Sequence, residues 1–243
     1  MRVQNFEYSA DGARMIGEYA VDEYAVDEAA TGRRPGILVC HEGNSLTEHT
    51  RKIAARLAGL GYAAFAMDYY GDGKPLANPA DAPSRLAPWR TDRTGIRLRA
   101  HKALKTLAGQ KEVDPAKLAV IGYCFGGTTA LEIGRSGGDL KAIVGFHSGL
   151  GTPEPQDARN IKAKVLVCIG AEDPLIPPEQ RAAFEQEMTA AGIDWRLQLY
   201  GGVGHSFTNP GVDALNLKGF FYHADTDRRS WNAMIELFNE TLV

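Results

Sequence analysis

The stretch Leu118 to Thr129, LAVIGYCFGGTT, constrains the fold more than any other part of this chain. Leu118 to Ile121 is a continuous apolar run of strand length. Gly-Tyr-Cys-Phe-Gly-Gly then turns into Thr128-Thr129-Ala130-Leu131, which reads as a helix. The pattern G-x-C-x-G is that of a nucleophile elbow, with sulfur in place of the usual serine oxygen. In such an elbow the nucleophile holds a strained backbone position, and side chains two residues before and after it collide unless they are small. Gly122 and Gly126 stand at those two places. A helix starting directly after Cys124 turns its first N–H groups and positive dipole end toward the sulfur, which favours thiolate and any oxyanion formed beside it. The N–H of Phe125 is the first expected oxyanion donor. Glycines between a strand and a helix also cradle phosphates, but the Lys-Ser/Thr of a P-loop and a full G-x-G-x-x-G are both missing. A bland turn around a buried cysteine is the other alternative.

The rest of the chain supplies the frame for that elbow. Phe6–Ala10 and Met15–Tyr19 flank Asp11-Gly12, which predicts an antiparallel hairpin. The acidic stretch Val21–Thr31 reads as a surface excursion. Strands are expected at Gly36–Cys40, Ala63–Met67, Ala142–Phe146, Val165–Ile169 and Trp195–Tyr200, as short apolar runs or near-runs. Helices are expected at Thr50–Leu60, Asp92–Leu107, Pro178–Ala191 and about Asp227–Phe238, with a long functional loop from Asp68 to Pro88. Strands alternating with helices predict an α/β fold with a largely parallel central sheet, helices on both faces and the hairpin at its start. Functional groups in such sheets gather at the carboxyl ends of the strands. The 243 residues are read as a single domain, 1–243.

Composition narrows the partners. Lys and Arg number 27 against 30 Asp and Glu, a net charge of −3, and no dense basic run is present to track a phosphate backbone, so no nucleic-acid partner is expected. No apolar run approaches the about 20 residues that span a bilayer, and the first residues, MRVQNFEYSADG, lack a signal pattern. A cytoplasmic protein without a membrane partner is therefore expected. Cys40, Cys124 and Cys168 are too few and too far apart for a disulfide framework or zinc ribbon, and Cys40 and Cys168 end or interrupt apolar runs as core residues do. His41-Glu42 begins a zinc H-E-x-x-H pattern, but Ser45 stands where the second histidine belongs, so neither a metal nor another cofactor is expected. The sequence carries no signal for an oligomeric state.

A sulfur nucleophile needs a base to take its proton and a carboxylate to orient that base. Asp173, in Gly-Ala-Glu-Asp-Pro after one strand, and His205, in Gly-Gly-Val-Gly-His after the next, are the candidates, with Glu172 as the rival acid. The order Cys124, Asp173, His205 is the nucleophile, acid, histidine order of the α/β-hydrolase fold. With G-Y-C-F-G-G, G-A-E-D-P-L-I-P, G-H-S-F and His41-Glu42-Gly43 in hand, the chain resembles the dienelactone hydrolase family, the carboxymethylenebutenolidase type, over nearly its whole length. The resemblance implies that Glu42 holds the resting sulfur protonated and turned aside, and that the N–H of Gly43 is a second oxyanion donor. Glu42 paired with Arg51 or another base is the plainer alternative. Family members that open dienelactones bind the substrate carboxylate with arginines, one of them shortly after the histidine. Here Ser206-Phe207-Thr208-Asn209-Pro210 follows His205, which argues against dienelactone itself. Arg85 and Arg90 could bind a carboxylate from another direction, and Tyr69, Tyr70, Trp89, Phe125, His147 and Phe207 could line a pocket for a small ester or lactone or simply pack in the core. The expected activity is cysteine-dependent hydrolysis through a thiol acyl-enzyme. Thioesterase or acyltransferase chemistry on the same residues, and non-catalytic ligand binding or redox sensing at Cys124, are the rivals.

Overall fold

Asp11 and Gly12 both take positive φ, 54° and 69°, the two left-handed positions that a tight hairpin needs to match the twist of its strands. The computed structural model, which describes residues 1–22 and 32–243, accordingly pairs β1 (Arg2–Ala10) with β2 (Ala13–Val21) over their full length, from Arg2 opposite Val21 to Ala10 opposite Ala13. Beyond Asp22, the acidic excursion lies outside the described residues.

The described chain is an α/β fold whose eight strands run in the order β1-β2-β4-β3-β5-β6-β7-β8, mostly parallel apart from the hairpin end. It divides into two compact units, Met1–Val120 and Ile121–Val243, with the boundary inside β5 (Val113–Tyr123). In the first unit, β3 (Arg34–Cys40) and β4 (Ala63–Ala66) are parallel, and β2 joins β4 antiparallel. Gly17 in β2 leaves room for the Phe65 ring, since a Cβ there would lie 2.5 Å from it. Helix α1 (Glu48–Ala58) buries Ile53, Ala54, Leu57 and Ala58, the face its 3.6-residue period defines.

One stretch departs from expectation. The segment read as a loop through Pro88 contains a helix, α2 (Ala82–Thr91), with Pro88 inside it and Leu86 its buried residue. A proline removes one helical hydrogen bond and ordinarily ends a helix. Here the helix runs only three residues past it before Asp92 leaves the helical conformation. Helix α3 (Thr94–Ala108) then buries Ile96, Ala100, Ala103, Leu104 and Leu107, as its pattern predicts.

In the second unit β6 (Ala142–Phe146), β7 (Lys164–Gly170) and β8 (Trp195–Tyr200) are parallel neighbours. Helix α4 (Phe125–Arg135) is buried at every residue, polar ones included. Its charged end is tolerated because its donors are met. Arg135 donates two bonds to Glu187 at 2.7 Å, one to Glu132 at 3.0 Å and one to the Leu150 carbonyl at 2.8 Å. Removing one partner from such a buried set costs about 3–5 kcal/mol, because it strands a charge away from water. Glu187 belongs to α5 (Pro178–Ala190), and α6 (Ala224–Thr241) closes the unit by burying Trp231, Met234, Leu237 and Phe238. Among the described residues no helix is long and apolar enough to cross a membrane.

Candidate active site

The elbow has the geometry its glycines allow. Cys124 sits between β5 and α4 at φ 52° and ψ −119°, a conformation that costs an L-residue about 1–3 kcal/mol unless its surroundings hold it. A Cβ on Gly122 would lie 2.0 Å from the Gly126 carbonyl oxygen, and one on Gly127 would lie 1.6 Å from the Ser148 hydroxyl. These approaches press the start of α4 onto the strand ends, with half-buried Cys124 as its N-terminal cap. The N–H groups of Gly127 and Thr128 fold back onto the Cys124 carbonyl at 3.1 and 3.4 Å.

Asp173 and His205 reach each other because the turns that carry them pack backbone against backbone. A Cβ on Gly170 would lie 2.2 Å from the Val203 carbonyl, and the Glu172 N–H donates to that carbonyl at 3.0 Å. His205 is held by its own N–H, which donates to the Gly219 carbonyl at 2.8 Å. Its Nδ1 lies 2.7 Å from Asp173 Oδ2, while Asp173 Oδ1 accepts from the Leu175 N–H at 2.8 Å. Asp173 is buried and Glu172 is exposed, so the rival carboxylate does not share this pair.

Burial alone would drive the His205 proton off. The opposing charge of the Cys124 sulfur, with the hydrogen bond and charge of Asp173, outweighs it and pushes the ring up to about 10. The Nε2 atom has no partner at hydrogen-bond geometry, although the sulfur is the strongest influence raising the ring. Such contacts are commonly long before substrate binds.

His147, at the end of β6, is fully buried at φ 40°. Its Nδ1 accepts from the Cys124 N–H at 3.1 Å, its Nε2 lies 2.9 Å from Thr208 Oγ1, and its ring stands edge-on to those of His205 and Phe207. Phe125 and Phe207 are buried as well. Thr208 carries no signal of its own in the sequence, although it lies three residues beyond His205 in the same motif.

The first unit builds a cluster at the ends of β3 and β4. His41 is buried, and the Tyr69 N–H donates to its Nε2 at 3.2 Å, which leaves the proton on Nδ1 to be donated to the Glu42 carbonyl. Burial pulls this ring down to about 4, against the weaker opposing pull of that carbonyl and of Asp68. The Asp68 carboxylate accepts from the N–H groups of Tyr70, Gly71 and Gly73 at 2.8, 2.7 and 3.0 Å and so fixes the loop. Tyr70 donates its hydroxyl to the Gly43 carbonyl at 2.7 Å, stacks on Trp89 at 5.7 Å, and carries the Arg85 guanidinium 4.8 Å over its ring. Tyr69 and Glu42 are buried, Trp89 is half-buried, and Arg85 and Arg90 are exposed. Arg51, considered as a partner for Glu42, bonds Glu18 and the Gly73 carbonyl. Among the described residues no group of three or more His, Cys, Asp or Glu is placed to hold a metal ion.

The chain is 28% identical to the Protein usf of Aquifex pyrophilus over 86% of its length and 89% of that protein. It is 29% identical to a Yersinia pestis protein provisionally named carboxymethylenebutenolidase, over 86% of this chain and 79% of that one. Among solved structures, m3DLH superposes with a TM-score of 0.94 at 43% identity, covering 100% of this chain and 99% of the other. A dienelactone hydrolase-like promiscuous phosphotriesterase from metagenomic libraries does so with a TM-score of 0.92 at 39% identity and the same coverage. The dienelactone hydrolase family model matches residues 21–242, and the chain belongs to that family.

Proposed function

We propose that the protein hydrolyses small esters or lactones through a thiol acyl-enzyme formed on Cys124, with His205 as acid and base and Asp173 as its orienting carboxylate. The observation that carries the reading is the buried His205–Asp173 pair at 2.7 Å, its ring raised by the charges of the Cys124 sulfur and Asp173, together with the strained backbone of that cysteine at a helix N-terminus. The family match runs through both units, which supports treating residues 1–243 as one hydrolase domain.

Each step follows from that arrangement. The Cys124 thiolate attacks the carbonyl carbon, and the carbonyl electron pair moves to oxygen, where the Phe125 N–H receives it. As the tetrahedral intermediate collapses, the bond to the leaving oxygen breaks and His205 gives that oxygen its proton. The now neutral His205 takes a proton from water, the hydroxide attacks the thioester, and the thiolate departs as the acid is released. The family resemblance adds the Gly43 N–H as a second donor and offers a different resting state, in which Glu42 keeps the sulfur protonated until substrate arrives. Thiolate absorbance in the ultraviolet, compared between wild type and Glu42→Gln, tests the part given to Glu42, since absorbance rises in the variant if the carboxyl group holds the proton on sulfur.

The test is turnover on a panel of p-nitrophenyl esters and unsaturated lactones, with and without an added alcohol or thiol acceptor. Cys124→Ala should lose orders of magnitude in kcat on every substrate the wild type accepts, because such groups act as a unit. Retained turnover in the variant would overturn the assignment. A product joined to the acceptor would favour acyl transfer, and no turnover with a readily oxidised Cys124 would favour a sensor. A second reading is supported by the 39% identical phosphotriesterase: the same thiolate attacking phosphorus in an aryl phosphotriester, with the P–O bond to the aryl group breaking and the aryloxide leaving, a substrate that belongs on the panel.

A further inference from the structure

A strained nucleophile needs something to hold it, and in the second unit that holding runs through a second histidine. The Cys124 N–H is shared by two acceptors, the Phe146 carbonyl at 3.0 Å and His147 Nδ1 at 3.1 Å. An N–H can only donate, so Nδ1 carries no proton and the proton of the neutral ring lies on Nε2, aimed at Thr208 Oγ1 at 2.9 Å. The His147 backbone is itself left-handed, its N–H donates to the Cys168 carbonyl at 2.8 Å, and the residue has no exposed surface. Thr208 is 3% exposed and lies in the turn that begins with His205 and continues through Ser206 at φ 56°. The ring stands 5.1 Å from the His205 ring and 5.3 Å from that of Phe207.

We propose that His147 is a positioning residue: as a neutral imidazole protonated on Nε2, it ties the backbone of Cys124 to Thr208 in the His205 loop and so fixes sulfur and base in one register. This rests on the catalytic reading of Cys124 and His205 given above. A buried ring with both nitrogens engaged by protein atoms acts on the reaction through Cys124 and His205, without touching substrate. The polar atoms matter more than the ring's bulk. A phenyl group at this place would keep the packing and leave the Cys124 N–H with the Phe146 carbonyl alone.

The test compares His147→Phe, His147→Asn and Thr208→Val with wild type and Cys124→Ala, using p-nitrophenyl acetate turnover and the rate of Cys124 alkylation by iodoacetamide. His147→Phe should lower kcat by about 10- to 100-fold with KM within about twofold, since small misplacements of reacting groups cost rates of that order. Its Cys124 should also alkylate more slowly. Asparagine tolerates positive φ and offers an acceptor near Nδ1, so His147→Asn should recover most of the lost kcat. Thr208→Val, which leaves the ring in place, should show a smaller loss in the same direction. A rise in KM at unchanged kcat would make His147 a substrate contact and overturn the proposal. So would unchanged kcat in Thr208→Val, which decides the matter if His147→Phe does not fold. Turnover retained by Cys124→Ala would instead overturn the catalytic reading, and the alkylation rates would still report on His147.

Discussion

His41 and His205 are both buried at strand ends in one chain, and they hold their protons in opposite ways. His41 meets only backbone groups at its nitrogens, and burial takes it down to about 4. His205 meets the Asp173 carboxylate and the charge of the Cys124 sulfur, and although burial pulls on it too, it rises to about 10. Burial sets the stakes for both rings, and the charge beside the ring decides the outcome. A neutral ring with both nitrogens committed is a strut, whereas a charged ring facing a sulfur has a proton to give.

The comparison breaks most sharply at Asp173. Asp173→Asn leaves the shape but takes away the charge and the acceptor that orients Nδ1, and kcat on any accepted ester should fall by about a thousandfold or more. A loss below tenfold would mean that the carboxylate does not orient the base. Next comes stability against pH, where the two rings have opposite signs. His41 is lowered, so the unfolded chain takes up its proton first, and its contribution erodes as pH falls from 6.5 toward 4, by about 3 kcal/mol in all. His205 is raised, so its contribution is complete below pH 6.5 and is lost as pH rises through about 10. Urea unfolding across this range should show His41→Phe flattening the acid limb and His205→Phe flattening the alkaline one. The finest test is Cys124→Ser, which removes the sulfur's charge and should move the His205 titration, followed by NMR, below that of the wild type. The His41 titration should stay where it is.

Much of this was legible in the sequence because it depends on spacing. Gly122, Cys124 and Gly126 declare the elbow two residues at a time, and Asp11-Gly12 declares the hairpin. Asp173 and His205 follow apolar runs that had to be neighbouring strands, so their places at strand ends followed from the strand pattern. Pro88 misled because the proline-rich stretch up to it reads as loop, whereas α2 carries Pro88 near its last turn. His147 was legible only as an aromatic near the site. Its link to Cys124 and Thr208 joins residues 23 and 61 positions away, and local sequence pattern carries no trace of such a contact. The preference for Asp173 over Glu172 likewise needed the fold, which buries one and exposes the other.

The central claim is that the Cys124 sulfur forms a covalent bond with the substrate's acyl group. Intact-protein mass, taken shortly after mixing with p-nitrophenyl acetate and again at the end of turnover, tests it most directly. The account predicts one added acyl group per chain, mapped to the peptide holding Cys124, clearing with time, absent in Cys124→Ala and much slower to form in His205→Ala. Steady turnover with no adduct, and with the same rate in Cys124→Ala, would contradict it.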